Sequence, residues 1–86
     1  MLDTVGLQEF RQDGRRRRRE TLLAALEATG SSQADLIRKL TLAGEKTAVT
    51  TVNRWCTGVG PIDEDTLRFV LTVLDLGPDW QPPESH

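Results

Sequence analysis

The hydrogen-bonding side chains of Thr50, Asn53, Arg54 and Thr57 crowd into the stretch Ala48-Val49-Thr50-Thr51-Val52-Asn53-Arg54-Trp55-Cys56-Thr57. Their chemistry suits the edges of DNA bases. Asparagine can pair bidentately with adenine, arginine can take a base or a phosphate, and threonine can reach either. Val49 and Ala48 add apolar surface of the kind that meets a thymine methyl group. These groups act together only on one face of a helix slim enough for the major groove. With Val52 and Trp55 buried, the outward positions are Ala48, Val49, Thr50, Asn53, Arg54 and Thr57. Of these, Val49, Thr50, Asn53 and Arg54 are the base-contacting candidates and Thr57 a phosphate candidate. A merely solvated polar face on a short helix is the plain alternative.

The second source of chemistry is cationic. Arg15, Arg16, Arg17, Arg18 and Arg19 follow one another without interruption. The formal net charge of −2 hides a strong asymmetry: residues 11–54 carry ten Lys/Arg against five Asp/Glu, and residues 55–86 carry one Arg against six acids. Such a basic half can engage phosphates while the acidic half faces solvent or a partner. The arginine run has three readings: a flexible arm in a minor groove or along phosphates, the first turn of a helix touching the backbone, or a solvated charge block. Arginine at a helix N-terminus opposes the macrodipole, which places the run at or before a helix start. Lys39 and Lys46 are further phosphate candidates. Ser32 and Thr47 stand where helix N-termini would offer amides to phosphate.

Other chemistries find little footing. Cys56 is the single cysteine, so an internal disulfide or a multi-cysteine zinc site is excluded. The one histidine, His86, ends a tail. Asp63, Glu64 and Asp65 read as the acidic first turn of a helix rather than as metal ligands. No acid/base pair, partnered nucleophile or phosphate-cradling loop occurs, so no catalytic residue, metal or cofactor is expected. The chain shows no secretory signal and no run long enough to span a membrane, which makes the cytoplasm of a bacterial cell or a phage-infected host the expected compartment.

The elements that must position these groups follow from hydrophobic spacing. Residues 1–19 read as a mixed N-terminal segment with a basic arm, in which Val5, Leu7 and Phe10 could form one amphipathic turn weakened by Gly6 and Gly14. Helix one reads from Glu20 to Thr29, with Leu22, Ala25, Leu26 and Thr29 on one face and Gly30 as its stop. Ser32 with Asp35 resembles a capping box opening helix two, with Ser31 as the other candidate cap; its inner face is Leu36, Ile37 and Leu40. Thr41–Thr47 reads as a loop, and Thr47 as the cap of helix three over 48–57. Val49, Val52 and Trp55 recur every three residues there, but the run of threonines and valines has poor helix propensity, and a strand competes. Asp63 opens helix four, which runs to about Leu76 before Gly77-Pro78. That helix has two apolar stripes. Leu67, Val70, Leu71 and Leu74 face the core. Phe69, Val73 and Leu76, with Trp80 behind them, must be covered by the N-terminal segment or form a homodimer surface. The expected fold is all-α: a compact bundle of four to five short helices over 20–77, containing a helix-turn-helix with a lengthened turn, followed by a tail over 78–86.

Three pieces of this pattern stand in a recognisable order: Ser32-Gln33-Ala34-Asp35-Leu36-Ile37-Arg38-Lys39-Leu40, then Thr51-Val52-Asn53-Arg54-Trp55-Cys56-Thr57-Gly58, then Pro61 before Thr66-Leu67 and Val70-Leu71. Together they resemble the lambda-repressor-like helix-turn-helix domain of phage repressors, Cro proteins and the XRE class. Ile37 replaces the small residue usual there, and about Thr41–Lys46 is an insertion in the turn. The resemblance implies a sequence-specific double-stranded DNA-binding transcriptional regulator, repressor-like or Cro-like, which reads the major groove with the helix at about 48–57. It further implies Gln33 bracing against the DNA backbone, pseudo-palindromic sites bound by dimers, and action by promoter occlusion or by contact with RNA polymerase. The alternative from another class is an interaction module that kept the fold, such as a phage-encoded modulator of a host protein, working through the acidic half.

Overall fold

The computed structural model describes residues 5–83, with side chains from residue 13 onward. Four α-helices form: α1 (Val5–Thr29), α2 (Gln33–Leu42), α3 (Val49–Thr57) and α4 (Glu64–Val73), and no strand occurs among the described residues. α1 packs on α3 and α4, and α2 packs on the same two helices. The core between them is Leu22, Ala25 and Leu26 from α1, Leu36 and Leu40 from α2, Val52 and Cys56 from α3, Ile62 from the following turn, and Leu67, Val70, Leu71 and Leu74 at α4. All-α architecture and the inner stripe of α4 follow the hydrophobic spacing, as expected; on α2, Leu36 and Leu40 are buried and Ile37 is half-buried against the core, and of the expected stripe on helix one only Thr29 stays half-buried.

The largest departure is at α1. It begins fifteen residues before Glu20 and carries the whole arginine run inside it. Gly6 and Gly14 each cost a helix about 1 kcal/mol relative to alanine. Arginine is a good helix former, and extension from a helix already nucleated by core packing is easy. The expectation of a flexible basic arm, or of a run at or before the helix start, is therefore corrected for the backbone. The expected roles of the Val5, Leu7 and Phe10 side chains, and of His86, lie outside the described residues.

The helix ends show where local chemistry outweighs periodicity. Ser32 caps α2 with a full capping box: its hydroxyl accepts from the Asp35 amide at 3.1 Å, and the Asp35 carboxylate accepts from the Ser32 amide at 3.0 Å. The bond from the Ser32 amide, first, and then its hydroxyl hold the Asp35 carboxyl below its ordinary range, with Arg38 adding to this. That contribution is present above the ordinary carboxylate range and is lost as pH falls through the lowered value. Ser32→Ala should cost about 1 kcal/mol, seen as a lower midpoint in thermal or urea unfolding.

α2 continues two residues past Leu40 and takes up part of the inserted segment, so the link to α3 is 43–48. Thr47 is not the cap of α3. Ala48 is, with no side-chain bond, because its carbonyl accepts the amides of Thr51 and Val52 at 3.1 and 3.2 Å. α4 stops at Val73, short of Leu76. Asp75 adopts φ +69°, its amide donates to the Thr72 carbonyl, and the Leu76 amide donates to the Leu71 carbonyl, each at 2.9 Å. That is a Schellman closure with an aspartate in the left-handed position usually held by glycine. Leu76 then packs on the core instead of extending the helix.

Candidate nucleic-acid interface

α3 hangs from the core by Val52 and Cys56, four residues apart, with Trp55 half-buried beside them. Those anchors decide what points outward. Val49 is 65% exposed, and Ala48, Thr50, Asn53, Arg54 and Thr57 are exposed as well. The four expected base-contacting residues thus share one solvent-facing surface, and Thr57 lies on it. At the N-terminal end, the amides of Val49 and Thr50 bond neither a backbone acceptor nor a side-chain cap among the described residues. Lys46, in the link just before, is exposed, and Thr47 is half-buried.

At the other end α3 closes on Gly58 with φ +86°. Only glycine takes that conformation without strain. The Gly58 and Gly60 amides both donate to the Arg54 carbonyl, at 3.0 and 3.2 Å. A Cβ placed on Gly58 would stand 3.3 Å from Cδ of Arg19, and one on Gly60 would stand 3.1 Å from Cβ of Arg54. The turn is folded tightly between α1 and the end of α3.

The five arginines do not act alike. Arg15, Arg16 and Arg17 are exposed, and Arg16 pairs with Asp13 at 2.7 Å on the surface. Arg18 and Arg19 are half-buried and turn inward. Nε of Arg18 donates to the Ile62 carbonyl at 2.7 Å, and Nε of Arg19 donates to the Cys56 carbonyl at 2.9 Å. Glu64 lies 4.0 Å from Arg18. Both therefore fasten the α3–α4 turn through Nε; Arg18, with Glu64 beside it, is corrected from phosphate candidate to fastener, and Arg19 keeps only its terminal guanidinium nitrogens for a ligand. Their face was readable: continuing the helical period backward from Leu22 and Leu26 brings Arg18 and Arg19 onto the core side. Burial pushes the Cys56 thiol up, and nearby Arg19 opposes that in part.

The remaining sequence-derived candidates are dispersed. Ser32 is exposed but spends its acceptor on the capping box, and Gln33 is half-buried at the first turn of α2. Lys39 is half-buried, while the neighbouring Arg38 pairs with Asp35 at 2.9 Å. Of the expected dimer surface, Val73, Leu76 and Trp80 pack against the chain's own core, which leaves Phe69, 38% exposed, as its outward residue. Arg68 and Asp79, 3.7 Å apart, tie the tail to α4.

One feature was not foreseen. Arg15, Arg16 and Arg19 line a groove of about 350 Å³ with Trp55, Val59 and the rest of the turn over 58–62. It unites segments some forty residues apart in sequence, which no local motif signals.

Over the described residues the chain is an all-α four-helix domain with an exposed polar helix flanked by arginines. It matches no known protein family, and no curated protein or solved structure matches it. No helix among the described residues is long and apolar enough to cross a membrane.

Proposed function

We propose that this protein is a sequence-specific double-stranded DNA-binding transcriptional regulator that inserts α3 into the major groove. The observation that carries this reading is the outer face of α3, where Val49, Thr50, Asn53, Arg54 and Thr57 are exposed together on a helix anchored by Val52 and Cys56. An α-helix with its side chains is about 10–12 Å across, matched to a major groove about 12 Å wide. Uncapped amides at its start, with Lys46 beside them, suit a backbone phosphate. Arg15 and Arg16 supply the sequence-independent attraction, whereas Arg17 lines the cleft it shares with Glu20, Glu64 and Asp79 on the α4 side. Occupancy of a promoter, or contact with RNA polymerase from the acidic α4 side, would convert binding into regulation.

The test is duplex selection from a random pool, followed by titration of the selected duplex at several salt concentrations. A regulator binds a defined sequence with affinity that falls steeply with salt. Absence of duplex binding at low salt sinks the reading in favour of an interaction module. Asn53→Ala should relax the preference at one base pair by about 1–3 kcal/mol, measured as the ratio of affinities for matched and mutated sites. An unchanged ratio removes Asn53 from the reading set.

A further inference from the structure

We infer that the groove between α1 and the α3–α4 turn binds a nucleotide, with its phosphate on Arg15, Arg16 and Arg19 and its flat base against Trp55 and Val59. The residues lining the groove include three guanidinium groups and no carboxylate. Its volume, about 350 Å³, lies in the range of small-molecule sites. The contrast with the larger cleft, about 490 Å³ between α1, α4 and the tail, is informative. There Arg17, Arg18 and Arg68 stand beside Glu20, Glu64 and Asp79, so the charges balance internally. In the smaller groove the positive charge is left over for a ligand.

The two walls differ in chemistry. Arg19 commits Nε to the Cys56 carbonyl, and its remaining guanidinium donors bond no described residue. The Arg16 pair with Asp13 is on the surface, where an ion pair is weak and a phosphate can compete. Opposite them stand Trp55, held half-buried against the core, and Val59, 76% exposed. An aromatic ring beside guanidinium groups is the arrangement that accepts bases by stacking while phosphates are neutralised. The groove is also preorganised. Arg18 and Arg19 pin the two sides of the turn through the Ile62 and Cys56 carbonyls, so little ordering is left for binding to accomplish.

A nucleotide can arrive free or as one unit of a strand, and a single titration separates these sources. Trp55 fluorescence is followed in a Trp80→Phe protein against deoxyadenosine monophosphate, deoxyadenosine, inorganic phosphate and a short single-stranded oligodeoxynucleotide. Trp55 quenching should saturate with the monophosphate and fall about tenfold in affinity when the phosphate is missing or when Arg15→Ala and Arg16→Ala are combined. Tighter binding of the oligonucleotide assigns the groove to a strand; tighter binding of the monophosphate assigns it to a free ligand. The Trp55 indole N–H resonance of the unsubstituted protein reads the same event should Trp80→Phe disturb folding. No saturable change with either the monophosphate or the oligodeoxynucleotide overturns the inference, as does an equal response in the Arg15/Arg16 double variant. Neither result bears on duplex reading by α3, which is measured separately.

Discussion

Replacing Arg15 and Arg16 together with alanine should leave the fold intact and cost duplex affinity about 10–10²-fold at ~0.1 M salt. Each phosphate contact contributes a salt slope of about −0.9, so losing two should flatten the slope by about 1.8. Exposed substitutions of this kind shift stability by only about ±0.5 kcal/mol. The opposite split is expected for Arg19→Met, which keeps the stem beside Gly58 and removes the guanidinium. The Cys56 carbonyl then loses its 2.9 Å donor at the closing turn of α3. A hydrogen bond from a charged donor contributes about 1.5–3 kcal/mol, and the midpoint of thermal unfolding should drop about 4–8 °C for each. Base preference should blur as α3 loses its tether, while the salt slope stays near that of the parent. Two measurements on two variants, salt slope and thermal midpoint, thus divide the run into contact and fastening residues. A double variant with an unchanged slope would remove Arg15 and Arg16 from the interface. An Arg19→Met protein with an unchanged midpoint would show that the Cys56 carbonyl bond does not hold the turn.

The same split explains what the sequence could and could not tell. The inner faces of α2 and α4 were legible because leucine and valine recur there at helical spacing, and position alone decides their burial. The outer face of α3 was legible for the complementary reason: once Val52 is inside, Asn53 and Arg54 cannot be. Its second anchor was harder. A recurrence every three residues points to Trp55, but the helix buries Cys56 more deeply, because the position four residues after Val52 lies nearer its face than the position three after, and Trp55 stands at the groove's edge. The start of α1 was misjudged because two glycines weigh heavily in a local reading, whereas helix extension is decided by the packed segment it grows from. The end of α4 was misplaced because Gly77-Pro78 is the louder stop signal, and an aspartate in left-handed geometry announces itself only weakly. Groove and fasteners both depend on residues 15–19 meeting residues 55–62. That is tertiary information, absent from any window of the sequence.

Leu36→Ala should do the greatest damage to the folded state. Leu36 is fully buried on the inner face of α2, among the largest wholly enclosed side chains. Truncating a leucine in such a site costs about 2–5 kcal/mol, from lost burial and from the cavity left behind. A domain of this size has about 4–13 kcal/mol of total stability, so the loss is a large share of it. The core is also undivided: one cluster joins all four helices, and α2 touches both α3 and α4. A cavity under α2 is therefore felt by α3, whose threonines and valines give it little helical propensity of its own. Urea unfolding followed by circular dichroism should show a midpoint lowered with the slope unchanged, the mark of lost stability in a two-state transition. Leu42→Ala is the matched control on the same helix, because that side chain is 82% exposed. It should unfold within about 0.5 kcal/mol of the parent. If both substitutions moved the midpoint equally, α2 would not pack on the core through Leu36. If only Leu36→Ala moved it, the weakened protein should also bind duplex less tightly near its lowered transition. There the population with α3 held in place falls, and binding must first restore it.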